Sequence, residues 1–141
     1  FWGRVWRKPQ LGELAMAVMG IPGLGKTLFA ASLRKGGPGL SQEQINEAYR
    51  RFTPDVRKQV LRLYRATDPA NFAGWETRML AVTAQHPTLV LWGQRDPFIA
   101  ARYAERFGAS KLERFNDVGH WVVVEAADRV APLIDQHLQD S

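Results

Sequence analysis

Pro87-Thr88-Leu89-Val90-Leu91-Trp92-Gly93-Gln94-Arg95-Asp96-Pro97-Phe98 is the stretch whose reading decides the fold. From Thr88 to Trp92 it is a continuous apolar run closed by a glycine. That is the profile of a strand buried on both faces of a parallel sheet. Downstream, residues 99–107 set Ala100, Tyr103, Ala104 and Phe107 at helical spacing and stop at Gly108. Leu112-Glu113-Arg114-Phe115 reads as a second short strand. Residues 125–138 read as a last helix with Val130, Leu133, Ile134 and Leu138 facing inward. Strand, helix, strand, helix is a βαβ unit with one helix added, so the fold class is α/β.

Upstream the chain reads as helices alone. Residues 10–19 are rich in strong helix formers and are broken by the Gly- and Pro-rich stretch 20–25. A second helix, about 25–35, stops at Gly36-Gly37-Pro38-Gly39. Ser41, with Gln44 three residues on, forms a capping box, and Ile45, Ala48, Tyr49 and Phe52 follow at helical spacing. Thr53-Pro54 starts the next helix, with Val56, Val60, Leu61 and Tyr64 as its apolar stripe. Asp68-Pro69 ends it, and Asn71 is expected to cap a fifth helix carrying Phe72, Trp75, Met79 and Val82. A two-stranded parallel pair leaves a hydrophobic edge open. The pattern is therefore expected to be part of something larger, with the edge from Thr88 to Trp92 meeting a further strand or a second copy of the chain.

The 141 residues, 45% hydrophobic and 23% charged, have the composition of a globular protein. No apolar run approaches the roughly 18 residues of a membrane span. Cysteine is absent, which removes disulfides and thiolate chemistry, and the three histidines, His86, His120 and His137, are too scattered for a metal cluster. No cofactor is expected. The start shows no charged-apolar-small leader, so the expected location is cytoplasmic. Residues 1–65 carry twelve Lys and Arg against four Asp and Glu, a net of +8, while residues 66–141 carry seven against ten, a net of −3. The basic residues alternate with apolar positions along helices, as in Arg57, Lys58, Arg62 and Arg65. That is a solvated face, and neither a nucleic-acid nor a membrane partner is expected.

In open α/β sheets, reactive groups sit in the loops beyond the carboxyl ends of the strands. The first strand is followed by Gln94-Arg95-Asp96-Pro97, the second by Asn116-Asp117-Val118-Gly119-His120-Trp121. Neighbouring strands lie about 4.8 Å apart, which puts Asp96 and His120 within reach of each other. A carboxylate there fixes the imidazole tautomer and leaves the other ring nitrogen as a general base. Taken singly, Asp96 reads as a helix cap and His120 as a turn residue. Their joint placement favours the paired reading.

Residues 87–98 and 112–130, PTLVLWGQRDPF and LERFNDVGHWVVVEAADRV, resemble the last third of an α/β-hydrolase-fold enzyme. Such enzymes carry the triad acid after a late strand and the histidine after the final one. The resemblance assigns Asp96 as the acid and His120 as the catalytic histidine. The helical first half, FWGRVWRKPQLGEL with the later YRRF and LRLYR segments, resembles the cap of the epoxide-hydrolase and haloalkane-dehalogenase-like branch. It implies a cap over residues 1–85, a C-terminal core segment over 86–141, and a small apolar substrate. Trp121, Phe98 and Trp75, with Phe72, are candidate pocket aromatics, and Tyr49 and Tyr64 candidate cap tyrosines. At helical spacing the cap residues also read as plain core.

The family's nucleophile elbow, glycine-flanked between a strand and a helix, has no counterpart here. None of Ser32, Ser41, Ser110 and Ser141 is flanked in that way, and neither Asp55 nor Asp68 sits in an elbow. The chain is expected to be a hydrolase fragment with two of three triad members and no covalent catalysis of its own. An ester, epoxide or carbon–halogen bond remains open as the target, as does a Ser or Asp nucleophile. The alternative is a nucleotide binder: Gly20-Ile21-Pro22-Gly23-Leu24-Gly25-Lys26-Thr27 satisfies the G-x-x-x-x-G-K-[ST] phosphate-loop pattern. That mechanism needs a buried strand ahead of the loop, whereas residues 14–19 read as helix.

Overall fold

A computed structural model describes residues 2–140 of the chain. The order is α1 (Trp2–Arg7), α2 (Leu11–Val18), α3 (Leu24–Gly36), α4 (Gln42–Arg51), α5 (Pro54–Ala66), a 3-10 turn (Pro69–Phe72) and α6 (Trp75–Thr83). Then come β1 (Leu89–Gly93), a 3-10 segment (Ala101–Phe107), β2 (Lys111–Phe115), α7 (Val122–Glu125) and α8 (Ala127–Gln139). The protein is mixed α/β, mostly helical, with two parallel strands. Among the described residues no helix is long and apolar enough to cross a membrane. The chain forms two compact units. One runs to Leu33 and resumes over Ser41–Ala73; the other combines Arg34–Leu40 with the residues from Gly74 onward.

In the first unit the helix starts follow local chemistry. Ser41 Oγ accepts from the Gln44 N–H at 3.1 Å while Gln44 Oε1 accepts from the Ser41 N–H at 2.8 Å, the expected capping box. Thr53 caps α5 through the Val56 N–H, with Pro54 in the first turn. Among the described residues of this unit, Met16, Ala30, Ile45 and Leu61 are the buried apolar side chains. Trp6 meets Tyr64 edge-on at 4.7 Å, and Phe29 lies between Tyr49 and Phe52, 5.5 and 4.9 Å away. Arg7 donates to the Tyr64 and Thr67 carbonyls at the end of α5. The phosphate-loop pattern has the wrong context: Gly20 follows α2, a helix, and no strand leads into it.

Other expectations in the helical half need correction. Helix α1 was not expected, because six residues give too few turns for an apolar period to register. Asn71 caps no helix. Asp68 caps the 3-10 turn by accepting from the Ala70 N–H, and Asn71 Nδ2 donates backwards to the Ala66 carbonyl. Phe72 closes that turn, so it is not on α6, which begins after Gly74.

In the second unit, β1 and β2 pair in register from Leu89↔Lys111 to Gly93↔Phe115. The near ends are locked by Thr88 and Ser110. Ser110 Oγ accepts from the Thr88 N–H and donates to the Thr88 carbonyl, each at 2.9 Å, and the Ser110 N–H donates to Thr88 Oγ1. Phe115, Val118, Ala126 and Val130 form the core, with Leu91, Val122 and Leu133 packed against it. From Leu89 to Trp92 the strand is half-buried, where burial on both faces was expected. The sheet has two strands among the described residues, so each strand keeps an open edge. The segment between the strands closes 3-10 hydrogen bonds and is not α-helical. The last helix breaks at Ala126, φ −133°, into α7 and α8; Val130 is buried, while Ile134 and Leu138, expected inward, are 39% and 69% exposed.

Within the first unit, Ile45→Ala removes a fully buried side chain and is expected to cost about 2–5 kcal/mol in urea unfolding. Leu63→Ala, on a residue 60% exposed, is expected to change little. Equal effects would contradict this placement of the core.

Candidate active site

The loops beyond β1 and β2 are tied to each other through their backbones before any side chain acts. Past the strand ends, the Gln94 N–H donates to the Phe115 carbonyl and the Arg95 N–H to the Val118 carbonyl, both at 2.9 Å. Gly93 permits the approach: a Cβ there would collide with the Gly119 and Val118 carbonyl oxygens. This lacing extends the sheet's pairing by two residues and sets Asp96 opposite His120.

Asp96 Oδ2 lies 2.8 Å from His120 Nδ1. The other oxygen, Oδ1, accepts from the Phe98 and Ile99 N–H groups at 2.8 and 3.0 Å. Asp96 is thus a turn cap and an imidazole partner at once, one oxygen for each task. Its side chain is 7% exposed and that of His120 30%. Burial is the largest single influence on the Asp96 carboxyl and pushes its pKa up. The hydrogen bonds from His120, Ile99 and Phe98, with the imidazole's charge, outweigh it and hold the pKa below the usual value. An ionised carboxylate only accepts hydrogen bonds, so Nδ1 must carry a proton. The lone pair of the neutral ring then sits on Nε2, which has no hydrogen-bond partner among the described residues.

Two aromatic rings stand edge-on to the imidazole, Phe98 at 5.1 Å and Trp121 at 4.9 Å between centroids. The structure therefore brings together four of the eight singled-out residues, Asp96, His120, Phe98 and Trp121, while Phe72 and Tyr64 belong to the other unit. Trp75 lies on α6 with the Arg78 guanidinium 5.3 Å over its ring. Tyr49 belongs to the other unit, where its hydroxyl donates to the Met19 carbonyl at 3.2 Å.

One participant escaped the sequence reading. Glu125, at the end of α7, accepts from the Gly119 N–H at 3.2 Å through Oε2 and from the Trp121 N–H at 3.1 Å through Oε1. These are the residues on either side of His120. The sequence offers a faint signal, an acid five residues after the histidine, but nothing to say that it turns back. No three histidine, aspartate or glutamate side chains among the described residues gather to hold a metal ion.

Compared with known proteins, the chain is 33% identical over 78 residues to the 2-hydroxy-6-oxononadienedioate/2-hydroxy-6-oxononatrienedioate hydrolase 2 of Pseudomonas putida, over 52% of this chain and 27% of that protein. It is also 38% identical over 50 residues to the dihydrolipoyllysine-residue acetyltransferase component of the acetoin cleaving system of Pseudomonas putida, over 36% of this chain and 14% of that protein. The matches thus span well under two thirds of either relative's length. No family model and no solved structure matches the chain.

The lowered Asp96 carboxyl has a signed consequence for stability. Its contribution is complete above the unfolded value of about 3.9 and is lost as the pH falls through the lower folded value. The gap in urea midpoint between the native chain and Asp96→Asn is therefore expected to hold down to about pH 5 and to close in stronger acid. A gap that stays constant into strong acid would contradict the assignment.

Proposed function

We propose that this chain carries the acid and histidine of an α/β-hydrolase active site, with residues 1–85 as its cap segment and 86–141 as its C-terminal core segment. The observation that carries the reading is the 2.8 Å contact between Asp96 Oδ2 and His120 Nδ1, which leaves Nε2 as a base. The likeness to a hydrolase over half of this chain supports it. It favours hydrolysis over the acetyl transfer in the second relative's name, whose match covers a smaller share of this chain.

In this mechanism Asp96 orients the ring and stabilises the imidazolium that forms during the reaction. The attacking group is not among these 141 residues, since no serine or aspartate sits in an elbow. If it is a serine, Nε2 takes the hydroxyl proton as oxygen adds to an ester carbonyl, and returns it to the departing alcohol. If it is an aspartate, its carboxylate opens an epoxide, whose oxygen leaves as an alkoxide and takes a proton from water, or displaces a halide ion, forming an ester in either case. Nε2 then deprotonates the water that cleaves this ester. Every step is proton transfer or covalent attack by side chains, so no cofactor is called for. Phe98 and Trp121 give His120 apolar walls, which suits a small apolar substrate, with Trp75 of the same unit as a further candidate contact. The open edge of β1 would pair with a further strand of the complete enzyme or with a second copy.

In the complete enzyme, His120→Ala is expected to lower turnover of an activated ester or epoxide by about a thousandfold or more. Turnover near the native rate would overturn the proposal.

A further inference from the structure

We propose that Glu125 is a positioning residue for His120: its carboxylate clamps the turn that carries the imidazole and so holds the ring on Asp96. The inference rests on the catalytic reading of His120 for its functional meaning, but its geometry stands independently. Glu125 uses both oxygens, one on the Gly119 N–H at 3.2 Å and one on the Trp121 N–H at 3.1 Å, and so brackets the histidine along the chain. The His120 N–H, between them, donates in a different direction, to the Gly36 carbonyl at 2.6 Å. Three successive backbone N–H groups are thus taken up, and the turn has little freedom left to rotate its side chain away from Asp96.

The partner surface is shaped for this clamp. A Cβ on Gly37 would collide with the Glu125 carboxylate, and one on Gly119 with the Gly36 carbonyl oxygen. The Gly36-Gly37 pair therefore serves as more than a helix stop, because its bare backbone makes room for the carboxylate and supplies the carbonyl. A charged acceptor suits the task, since N–H bonds to a carboxylate are stronger than those between neutral groups. A neutral amide at this position keeps one acceptor oxygen in place of two.

The test is nuclear magnetic resonance on the native chain, Glu125→Gln and Glu125→Ala, reading solvent exchange of the His120 Nδ1 proton. The amides of the β1–β2 ladder report on the fold in the same samples. Exchange about tenfold faster in Glu125→Gln, and faster again in Glu125→Ala, with ladder amides unchanged, is the expected result. The proposal is overturned if a folded variant keeps the native rate. It is also overturned if ladder amides accelerate as much as the imidazole proton, because the residue would then merely stabilise the unit. Should Glu125→Ala not fold, Glu125→Gln decides by the same criterion. None of these readouts depends on turnover, so an inactive His120 in the complete enzyme would leave this result standing.

Discussion

The site depends on two backbone hydrogen bonds beyond the ends of the strands, Gln94 to Phe115 and Arg95 to Val118. Parallel strands do not by themselves bring their following loops together, because each chain is free to turn away once the ladder ends. Here the ladder is held at its start by the reciprocal Thr88–Ser110 pair and carried past its end by these two bonds. A side-chain contact across 24 positions of sequence then costs little further ordering, since the backbone has already been fixed. Gly93 is the residue that allows this, because a side chain there would hold the loops apart.

On that scaffold the electrostatics of Asp96 become a balance of burial against bonding. A nearly buried carboxylate is disfavoured unless its lone pairs are occupied. Two backbone N–H groups fill one oxygen and the imidazole the other. Since the balance favours the ionised form, the proton stays on Nδ1 and the basic lone pair is directed to Nε2. The flanking Phe98 and Trp121 rings stand close to perpendicular to the imidazole and flank it with apolar surface.

The sequence revealed those parts of this arrangement that rest on local chemistry. The Ser41 and Thr53 caps were legible because a capping oxygen and the N–H that donates to it lie three residues apart. β1 was legible as a short apolar run closed by a glycine, and Leu112–Phe115 as a second short strand after the stop at Gly108. Asp96 and His120 could be paired because both directly follow strands. What stayed hidden was fixed by distant or absent neighbours. Glu125 gains its role only when Gly36-Gly37 packs against its turn, which no local pattern encodes. Ile134 and Leu138 follow the period of an inward face yet are exposed, because periodicity names a face and says nothing of what covers it. Asn71 caps nothing because a 3-10 turn capped by Asp68 intervenes and α6 starts only after Gly74, without a side-chain cap.

The central claim is that the carboxylate of Asp96 dictates the protonation of His120. Nitrogen-15 resonance of the imidazole, at a pH where the ring is neutral, tests it most directly. The account predicts a protonated Nδ1 and an unprotonated Nε2, reversing to the Nε2–H form in Asp96→Ala. A native ring already carrying its proton on Nε2 would contradict it.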